Sequence, residues 1–402
     1  MNPVFDAHYK KAIDLLSRLS SPDGILASSI AADNYKRIWA RDAVVCGLAG
    51  LIADQEDLVA GLKRSLDLLA KHQHTLGMIP SNVDPRDGSV SYGSLVGRVD
   101  TSSWYVIGAC LFYKSTGDDT FWQQHQPHLE KARNYLRSIT FNDRAWIYTP
   151  LSGNWADEYP VHGYTLYDNS LYRWGESLWE ELAGSASAKK TEQTQRLLHN
   201  FWPADPVGLH TYQKTSYQFA LAQNPKHFGS FILPGKYDLR FDAAANALGL
   251  CLADPGPERM QLLEEFVLND LCGELGQALI PAFWPVIDRQ SADWDLLENN
   301  YSYEFKNQPG CFHNGGIWPV WMGLFCLGLS LRGRKDLVTK IVESYTALLS
   351  QSGDAHFSEY YRSTDLKPDG KKQMGYTASG VVFMKQALQL DSSAGLANLG
   401  LK

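Results

Sequence analysis

The sequence has no long apolar run, no block of basic residues and no Cys-x-x-Cys pair, and each absence excludes a class of protein. The longest apolar runs, such as residues 320–331, are too short and too interrupted to span a bilayer. A net charge of −7 without a Lys/Arg cluster argues against a nucleic-acid partner. Residues 1–6 lack the charged and apolar segments of a signal peptide, so none is expected.

Cysteine is scarce, with six residues in a chain of 402. Dispersed cysteines of this kind predict reduced, mostly buried thiols in a cytoplasmic protein, and they argue against a structural zinc site. No other pattern in the sequence requires a metal ion or a cofactor, so neither is expected. The six residues are Cys46, Cys110, Cys251, Cys272, Cys311 and Cys326.

Helical periodicity dominates what is present, and strand-like alternation is rare and short. The predicted helices occur about once per thirty residues, a spacing typical of stacked helical hairpins. Because no sequence repeat accompanies this spacing, a closed ring of paired helices is favoured over an open solenoid. No Ser/Pro-rich linker occurs, so we predict one domain over residues 1–402. The predicted helices are 5–20, 42–54, 56–73, 101–117, 119–138, 168–184, 188–201, 211–223, 241–253, 257–271, 317–332, 335–351 and 375–390.

Polar segments rich in aromatic residues interrupt this apolar scaffold. The most apolar helices, 101–113, 241–253 and 317–332, should line the inside of the ring, so that the loops before them converge at one end and form a pocket. Sites that cleave sugars need flat rings, fixed hydrogen-bonding groups and carboxylates, and these segments supply all three. We therefore interpret the chain as a glycoside hydrolase. The segments are 37–42, 92–104, 152–170, 311–319 and 357–361.

Two carboxylates are the candidate catalytic residues. Asp157 lies beside Trp155 and Tyr159 in the sequence, a setting in which the pKa of a general acid is expected to be raised. Glu158 is the alternative acid. Glu359, between aromatic residues, is the candidate general base.

The candidate substrate-binding residues also have simpler explanations. Asp42 and Asp100 are placed where a helix N-cap would be, and an isolated histidine such as His313 is more often structural than functional. The full set expected to bind the substrate is Trp39, Arg41, Asp42, Arg98, Asp100, Trp104, Trp155, His162, His313, Asn314, Trp318 and Tyr361.

In this order the segments resemble the alkaline/neutral invertases (glycoside hydrolase family 100) and, more distantly, the inverting α-glucosidases of family 63. The most specific stretches are 312–319 (Phe-His-Asn-Gly-Gly-Ile-Trp-Pro) and 359–361 (Glu-Tyr-Tyr), and the resemblance spans most of the chain from Arg41 onward. It implies an all-α (α/α)6 barrel that inverts an α-glucoside without a cofactor, with Asp157 as acid and Glu359 as base.

The sequence departs from that family in two places, after Asp157 and between residues 282 and 309. The family has basic residues after its acid, where Glu158 and Tyr159 stand here. Sucrose therefore stays one candidate among several small α-glucosyl compounds, and fructose, glucose, glycerol and glycerate are all open as leaving groups. The oligomeric state is open too.

Three other classes stay open at this point. A sugar epimerase would need His162 and His313 to face one pocket. A lyase would need a tyrosine or histidine base and a positive surface, which the acidic composition disfavours. A non-catalytic carbohydrate-binding protein would keep the aromatic residues but tolerate the loss of Glu359.

Overall fold

The computed structural model describes residues 2–30, 35–184, 189–353, 356–390 and 399–401. Within these ranges the chain is mainly helical, with short strands between the helices. The α-helices are α1 (Pro3–Leu19), α2 (Ala40–Ile52), α3 (Glu56–Lys71), α4 (Asp100–Thr116), α5 (Asp119–Ser138), α6 (Leu166–Leu182), α7 (Lys189–Phe201), α8 (Lys214–Ala222), α9 (Ala243–Leu252), α10 (Pro257–Glu265), α11 (Cys272–Leu275), α12 (Trp294–Glu298), α13 (Pro319–Leu331), α14 (Lys335–Ser352) and α15 (Gly375–Gln389), with a π-helical segment at Phe266–Leu271. The strands are β1 (Ser20–Ser21), β2 (Gly24–Ile25), β3 (Ile38–Trp39), β4 (Asn82–Val83), β5 (Val90–Ser91), β6 (Tyr164–Thr165), β7 (Gly229–Leu233), β8 (Lys236–Asp242), β9 (Phe283–Trp284), β10 (Tyr360–Tyr361) and β11 (Pro368–Asp369).

Six helices form a closed ring. Helix α2 packs on α4, α4 on α6, α6 on α9, α9 on α13 and α13 on α15, which returns to α2. These helices are buried on nearly all sides; in α13 every residue from Pro319 to Ser330 is buried. Helices α1, α3, α5, α7 and α14 pack against the outside of the ring, and their apolar stripes face inward. The predicted inner helices α4, α9 and α13 all belong to the ring.

The strands lie mostly where the ring helices begin. Strand β3 runs directly into α2, β6 into α6 and β8 into α9, and β6, β7, β8 and β9 form one antiparallel sheet. Ile317, just before α13, bridges to Pro281 on one side and to Tyr361 on the other. Backbone pairing therefore ties together the loops that precede the ring helices. The prediction of a mainly helical fold is confirmed, but a purely α-helical class is not, because of these sheets.

The helix predictions agree with the structure to within a few residues at most ends. The predicted helix 257–271 is divided into α10, the π-helical segment and α11, and residue 188 of the predicted helix 188–201 lies outside the described residues. The six cysteines are unpaired, and four of them are buried, as predicted. Among the helices that the structure describes, none combines the length and hydropathy that a bilayer span requires.

Two glycines allow α13 and α15 to pack closely. A Cβ atom added at Gly380 would overlap the carbonyl oxygen of Pro319, and one added at Gly323 would overlap the carbonyl oxygen of Gly380. We expect Gly380→Ala to lower the free energy of unfolding by about 1–3 kcal/mol, the usual cost of overpacking, which denaturant unfolding would measure.

Gly273→Ala is the matched control for this prediction. Gly273 lies in α11, and a Cβ atom there meets no atom within 4 Å. We expect a small gain in stability from helix propensity. Equal stability of Gly380→Ala and the unsubstituted protein would mean that the two helices separate without cost.

Candidate active site

Polar and charged side chains collect at one end of the ring, where the six inner helices begin. Asp42 is in the first turn of α2, and Asp100 is the first residue of α4. Asp168 is in the first turn of α6, and Asp242 caps α9. His313 precedes α13. These five inner helices thus direct their N-termini toward this end, and the positive end of a helix dipole favours negative charge.

Asp157 lies in the loop before β6 and is held by Arg98. The Arg98 Nη2 atom donates to Asp157 Oδ2 at 2.6 Å, and the Asp157 side chain is 30% exposed whereas that of Arg98 is 3% exposed. Burial raises the pKa of Asp157, but the positive charge of Arg98, with help from His313 and Arg41, outweighs burial and leaves the pKa below its usual value. The expectation of a raised pKa for Asp157 is therefore wrong. Its aromatic neighbours do desolvate it, but an arginine 59 residues away in the sequence ion-pairs with it.

Asp168 fixes the loop that carries Asp157. Its Oδ2 atom accepts hydrogen bonds from the hydroxyls of Thr149 (2.8 Å) and Thr165 (2.7 Å) and from the amide of Asn154 (2.9 Å). Asn154 in turn accepts from the backbone N–H of Ala156 at 3.0 Å. Burial and the charge of a neighbouring aspartate raise the pKa of Asp168 to about 7. The sequence also suggests Asp168 as the N-cap of the following helix, but this interpretation is wrong: Thr165 caps α6, and the Asp168 carboxyl orients the loop.

Glu359 lies in the loop before β10 and is held at both oxygens. The Tyr35 hydroxyl donates to Oε1 at 3.0 Å, and the backbone N–H of Lys371 donates to Oε2 at 3.1 Å. Burial raises the pKa of Glu359 despite these two donors. The pKa of Tyr35 is raised by burial and by the charges of Glu359, Asp42 and Asp157. The charges of these three carboxylates therefore act on one phenol, which contacts Glu359 directly.

Gly370 leaves the space that Glu359 occupies. It has φ +74°, and an added Cβ atom would lie 2.5 Å from Glu359 Oε2 and 2.8 Å from Glu359 Cβ. We expect Gly370→Ala to displace the carboxylate and lower kcat about 100-fold, as misplacement of a catalytic group by about 1 Å does. Gly333→Ala is the control, because Gly333 has φ +72° and open space around it. Steady-state assays would measure kcat for both variants, and equal kcat values in Gly370→Ala and Gly333→Ala would contradict the prediction.

Four aromatic rings form one wall. Trp155 meets His313 edge-on at 5.1 Å and Trp318 edge-on at 5.6 Å between ring centroids. Trp318 stacks on His313 at 5.6 Å and on Tyr360 at 5.7 Å. Burial lowers the pKa of His313 to about 3 against the opposing charge of Asp157, so His313 is neutral near neutral pH. Such rings suit the apolar faces of a sugar.

The floor is a charged layer centred on Arg41. Its Nη1 atom pairs with Asp100 Oδ2 at 2.7 Å, and the Tyr167 hydroxyl donates to the same oxygen at 3.1 Å. The Arg41 guanidinium lies 6.0 Å from the centroid of the Tyr376 ring. Burial raises the pKa of Asp42 to about 6, and Arg41 opposes this shift.

Several buried polar atoms of this layer and wall make no hydrogen bond with any residue that the structure describes. A buried polar atom without a partner costs free energy, so its persistence suggests that a ligand supplies the partner. Hydroxyl-rich molecules such as sugars can pair with donors and acceptors alike. The atoms are Arg41 Nε, Asp100 Oδ1, Trp155 Nε1, His313 Nδ1, Trp321 Nε1 and the Tyr376 hydroxyl.

Other predicted binding residues already have partners within the protein. Trp104 is fully buried and donates to Tyr167 at 3.0 Å. Asn314 is fully buried and bonds the backbone of Ile287 through both its oxygen (2.7 Å) and its nitrogen (2.8 Å). Arg98 uses Nη1 and Nη2 on Val96, Ser94, Ser152 and Asp157.

Tyr361 and Trp39 complete the predicted set. Tyr361 is fully buried and contacts Tyr345 edge-on, whereas its neighbour Tyr360 stacks on Trp318. Successive residues of a strand point to opposite faces, so only Tyr360 reaches the wall. Trp39 ends β3, pairs with Asn82 and is half-buried immediately before α2.

His162 has different surroundings from His313. Its ring lies 5.1 Å from that of Phe231, and its pKa is lowered by burial and by Lys236, with Asp238 opposing. The charged groups that act most strongly on His313 are Asp157, Lys306, Arg41 and Arg98, whereas Lys236, Asp238, Asp293 and Arg240 act most strongly on His162. The two histidines therefore have different charged surroundings, which disfavours the epimerase interpretation.

Sequence reasoning missed four side chains of this site: Tyr35, Lys306, Tyr360 and Tyr376. Tyr376 is in the first turn of α15, so the convergence of helix N-termini could have identified it. Tyr35 and Lys306 lie in loops without a local pattern. Among the described residues, no cluster of three His, Cys, Asp or Glu side chains has an arrangement that could hold a metal ion.

Comparison with known proteins places this geometry in context. Residues 218–390 match the model of the alkaline and neutral invertase family of glycoside hydrolases. The chain is 21% identical to probable alkaline/neutral invertase A, chloroplastic, from Arabidopsis thaliana, over 93% of this chain and 68% of that one. It is 20% identical to cytosolic invertase 1 from Oryza sativa subsp. japonica, over 91% of this chain and 74% of that one. These matches support the resemblance seen in the sequence and a glycosidase function.

The fold is shared with a solved bacterial enzyme. The GH63 mannosylglycerate hydrolase from Thermus thermophilus, in complex with glucose, superimposes with a TM-score of 0.63 at 14% identity, covering 94% of this chain and 99% of that chain. The invertase relatives are variously named chloroplastic, mitochondrial and cytosolic, so the cytoplasmic location stays a prediction.

Proposed function

We propose that this chain, a relative of the alkaline and neutral invertases, is an inverting glycoside hydrolase that cleaves a small α-glucoside. The observation that carries the proposal is that the charges of Asp157 and Glu359 act on the same phenol, that of Tyr35, near aromatic rings and buried polar atoms that have no partner among the described residues. A ring of six helices with further helices packed outside it, which we interpret as an (α/α)6 barrel, would be the scaffold.

Asp157 would donate a proton to the leaving oxygen, and Glu359 would take a proton from the attacking water. Asp157 is bonded to Arg98, and Glu359 to Tyr35 and the Lys371 backbone. Among the described residues no hydrogen bond joins the two carboxylates, although the charge of Asp157 acts on Glu359. Separate anchors on opposite loops support a single displacement, which needs room for a water between carboxylate and sugar.

The glucosyl ring would lie against Trp155, Trp318 and His313, with its hydroxyls toward the charged floor. Asp42 and Arg41 are the floor groups with access to the pocket, with Asp42 8% and the Arg41 side chain 14% exposed. The Tyr376 hydroxyl adds one further group that has no hydrogen-bond partner among the described residues. A fixed set of donors and acceptors of this kind orients a polar ligand in an otherwise apolar pocket.

The pKa shifts of Asp157 and Glu359 are opposite to those that these roles require. The pKa of Asp157 is lowered and that of Glu359 is raised, whereas the mechanism needs Asp157 protonated and Glu359 ionised. Either only a minor fraction of the free enzyme carries the active protonation state, or Glu359 is the acid and Asp157 the base. Substitution of each carboxylate decides between these possibilities. Only loss of the acid should make the fall in kcat depend on the leaving group, because only the acid acts on the leaving oxygen.

Proton NMR of the purified protein with a panel of α-glucosides, sucrose included, tests the proposal. The early appearance of β-glucose from an α-linked substrate would establish hydrolysis, inversion and the leaving group in one experiment. Early α-glucose would contradict single displacement. Absence of cleavage across the panel, with binding retained, would favour a non-catalytic carbohydrate-binding protein.

A further inference from the structure

Residues 299–309, here called the mouth segment, contact the loops that carry the candidate site. The backbone N–H of Ser302 donates to Glu158 Oε1 at 3.1 Å, and the Asn307 amide donates to the Glu158 carbonyl at 2.7 Å. Asn307 also accepts from the backbone N–H of Asn314 at 3.2 Å. The mouth segment is therefore fixed to both loops that carry the candidate site, the one with Asp157 and the one before α13.

Lys306 of the mouth segment points its charge at this site. Its ammonium lies 4.9 Å from the centroid of the Phe312 ring, which packs on His313 at 4.0 Å. Burial raises the pKa of Glu359 and of Glu158, and in both cases the charge of Lys306 opposes that rise. Lys306 thus lies within electrostatic reach of carboxylates on two sides of the pocket, although the residue is exposed.

Two other cations near the candidate carboxylates already pair with aspartates. Arg41 pairs with Asp100 at 2.7 Å, and Arg98 pairs with Asp157 at 2.6 Å. Among the residues that the structure describes, no carboxylate oxygen lies within 4.0 Å of the Lys306 ammonium. The floor groups Asp42 and Asp100 are buried whereas Lys306 is exposed, so a leaving group that extends from the floor toward solvent on this side would meet Lys306.

We propose that Lys306 binds an anionic group on the leaving group, so that this site prefers α-glucosides whose leaving group carries a carboxylate or a phosphate. The inference rests on the proposed hydrolase function. It gives Lys306 a role in specificity, through attraction of a negative charge that a neutral leaving group lacks.

Matched pairs of substrates that differ by one charged group test this role. One pair is α-glucosylglycerate and α-glucosylglycerol; the other is sucrose 6′-phosphate, phosphorylated on fructose, and sucrose. For at least one pair we expect kcat/KM to be about tenfold higher for the charged member. Lys306→Gln should lower that ratio about tenfold by raising KM, and Lys306→Arg should retain most of it. Which pair responds distinguishes a carboxylate from a phosphate.

Lys10→Gln is the control, because it removes the same charge from an exposed position on α1, and it should leave both ratios unchanged. Equal kcat/KM within both pairs of the unsubstituted enzyme would overturn the proposal. A second result would also overturn it: Lys306→Gln lowers kcat/KM equally for the charged and the neutral substrate of each pair and shifts the acidic limb of the pH profile. Lys306 would then act only through the pKa of Glu359.

Direct binding separates failure of this inference from failure of the hydrolase proposal. Calorimetry with D-glycerate, glycerol and inorganic phosphate needs no turnover. If no glucoside is cleaved but D-glycerate or phosphate binds the unsubstituted protein and not Lys306→Gln, the anion site stands while the hydrolase proposal fails. If neither anion binds more tightly than glycerol, the role of Lys306 is refuted.

Discussion

Asp157→Asn is expected to lower kcat by about 10²–10⁴-fold for α-glucosides with a poor leaving group, the usual contribution of a general acid. Aryl α-glucosides with acidic phenols should lose far less, because their leaving oxygen departs without a proton. Asparagine keeps the size of the side chain, and its amide oxygen can still accept from Arg98 Nη2, which lies 2.6 Å from Asp157 Oδ2. The loss would therefore report the missing proton rather than a displaced loop. Steady-state kinetics over a series of aryl glucosides measures it.

Glu158→Gln is the comparison that identifies the acid. Glu158 is buried, its Oε1 atom accepts from Ser302, and burial raises its pKa. By pKa alone it would be the better acid. Asp157, however, is among the charges that act most strongly on both Tyr35 and Glu359, and Glu158 is not. We therefore expect Glu158→Gln to show no dependence on the leaving group. The reverse result, with dependence in Glu158→Gln and none in Asp157→Asn, would move the acid to Glu158.

The scaffold could be predicted from the sequence because helix periodicity is a local signal. The predicted helix 241–253 corresponds to α9 and 317–332 to α13, and both are ring helices as expected. The hairpin of β7 and β8 was missed. Strand β7 is buried along almost its whole length, so it lacks the alternation of polar and apolar residues by which a half-exposed strand is recognised.

The candidate carboxylates could be predicted because acids beside aromatic residues in a loop are conspicuous in a sequence. The electrostatic environment of Asp157 and Glu359 could not be predicted in this way. The pKa of Asp157 depends on Arg98, and the position of Glu359 depends on Tyr35, 324 residues away. Contacts of this kind are set by which loops the ring brings together. The same limit applies to Tyr361, which is fully buried while its neighbour Tyr360 packs on Trp318, and to Trp104, which is fully buried and bonds Tyr167.

Glu359→Gln is expected to lower kcat by about 10²–10⁴-fold, and, unlike Asp157→Asn, by the same factor for every leaving group. The base takes its proton from water, so the acidity of the leaving group does not enter. Glutamine can be held in the same place, because its amide oxygen can accept from the Lys371 N–H and its NH₂ group can donate to the Tyr35 hydroxyl, the two partners of Glu359. Tyr35→Phe, which removes one of these partners and keeps the carboxylate, should lose much less activity.

Azide gives this prediction a stereochemical test. In Glu359→Ala the truncated side chain leaves space beside the anomeric carbon, and azide, which needs no base, can attack in place of water. An inverting site with Glu359 as base should then form β-glucosyl azide from an α-glucoside at a rate that rises with azide concentration, which NMR detects. The opposite result would be a loss of kcat that depends strongly on the leaving group in the Glu359 variants and not in Asp157→Asn. Glu359 would then be the acid and Asp157 the base, as the raised pKa of Glu359 and the lowered pKa of Asp157 favour.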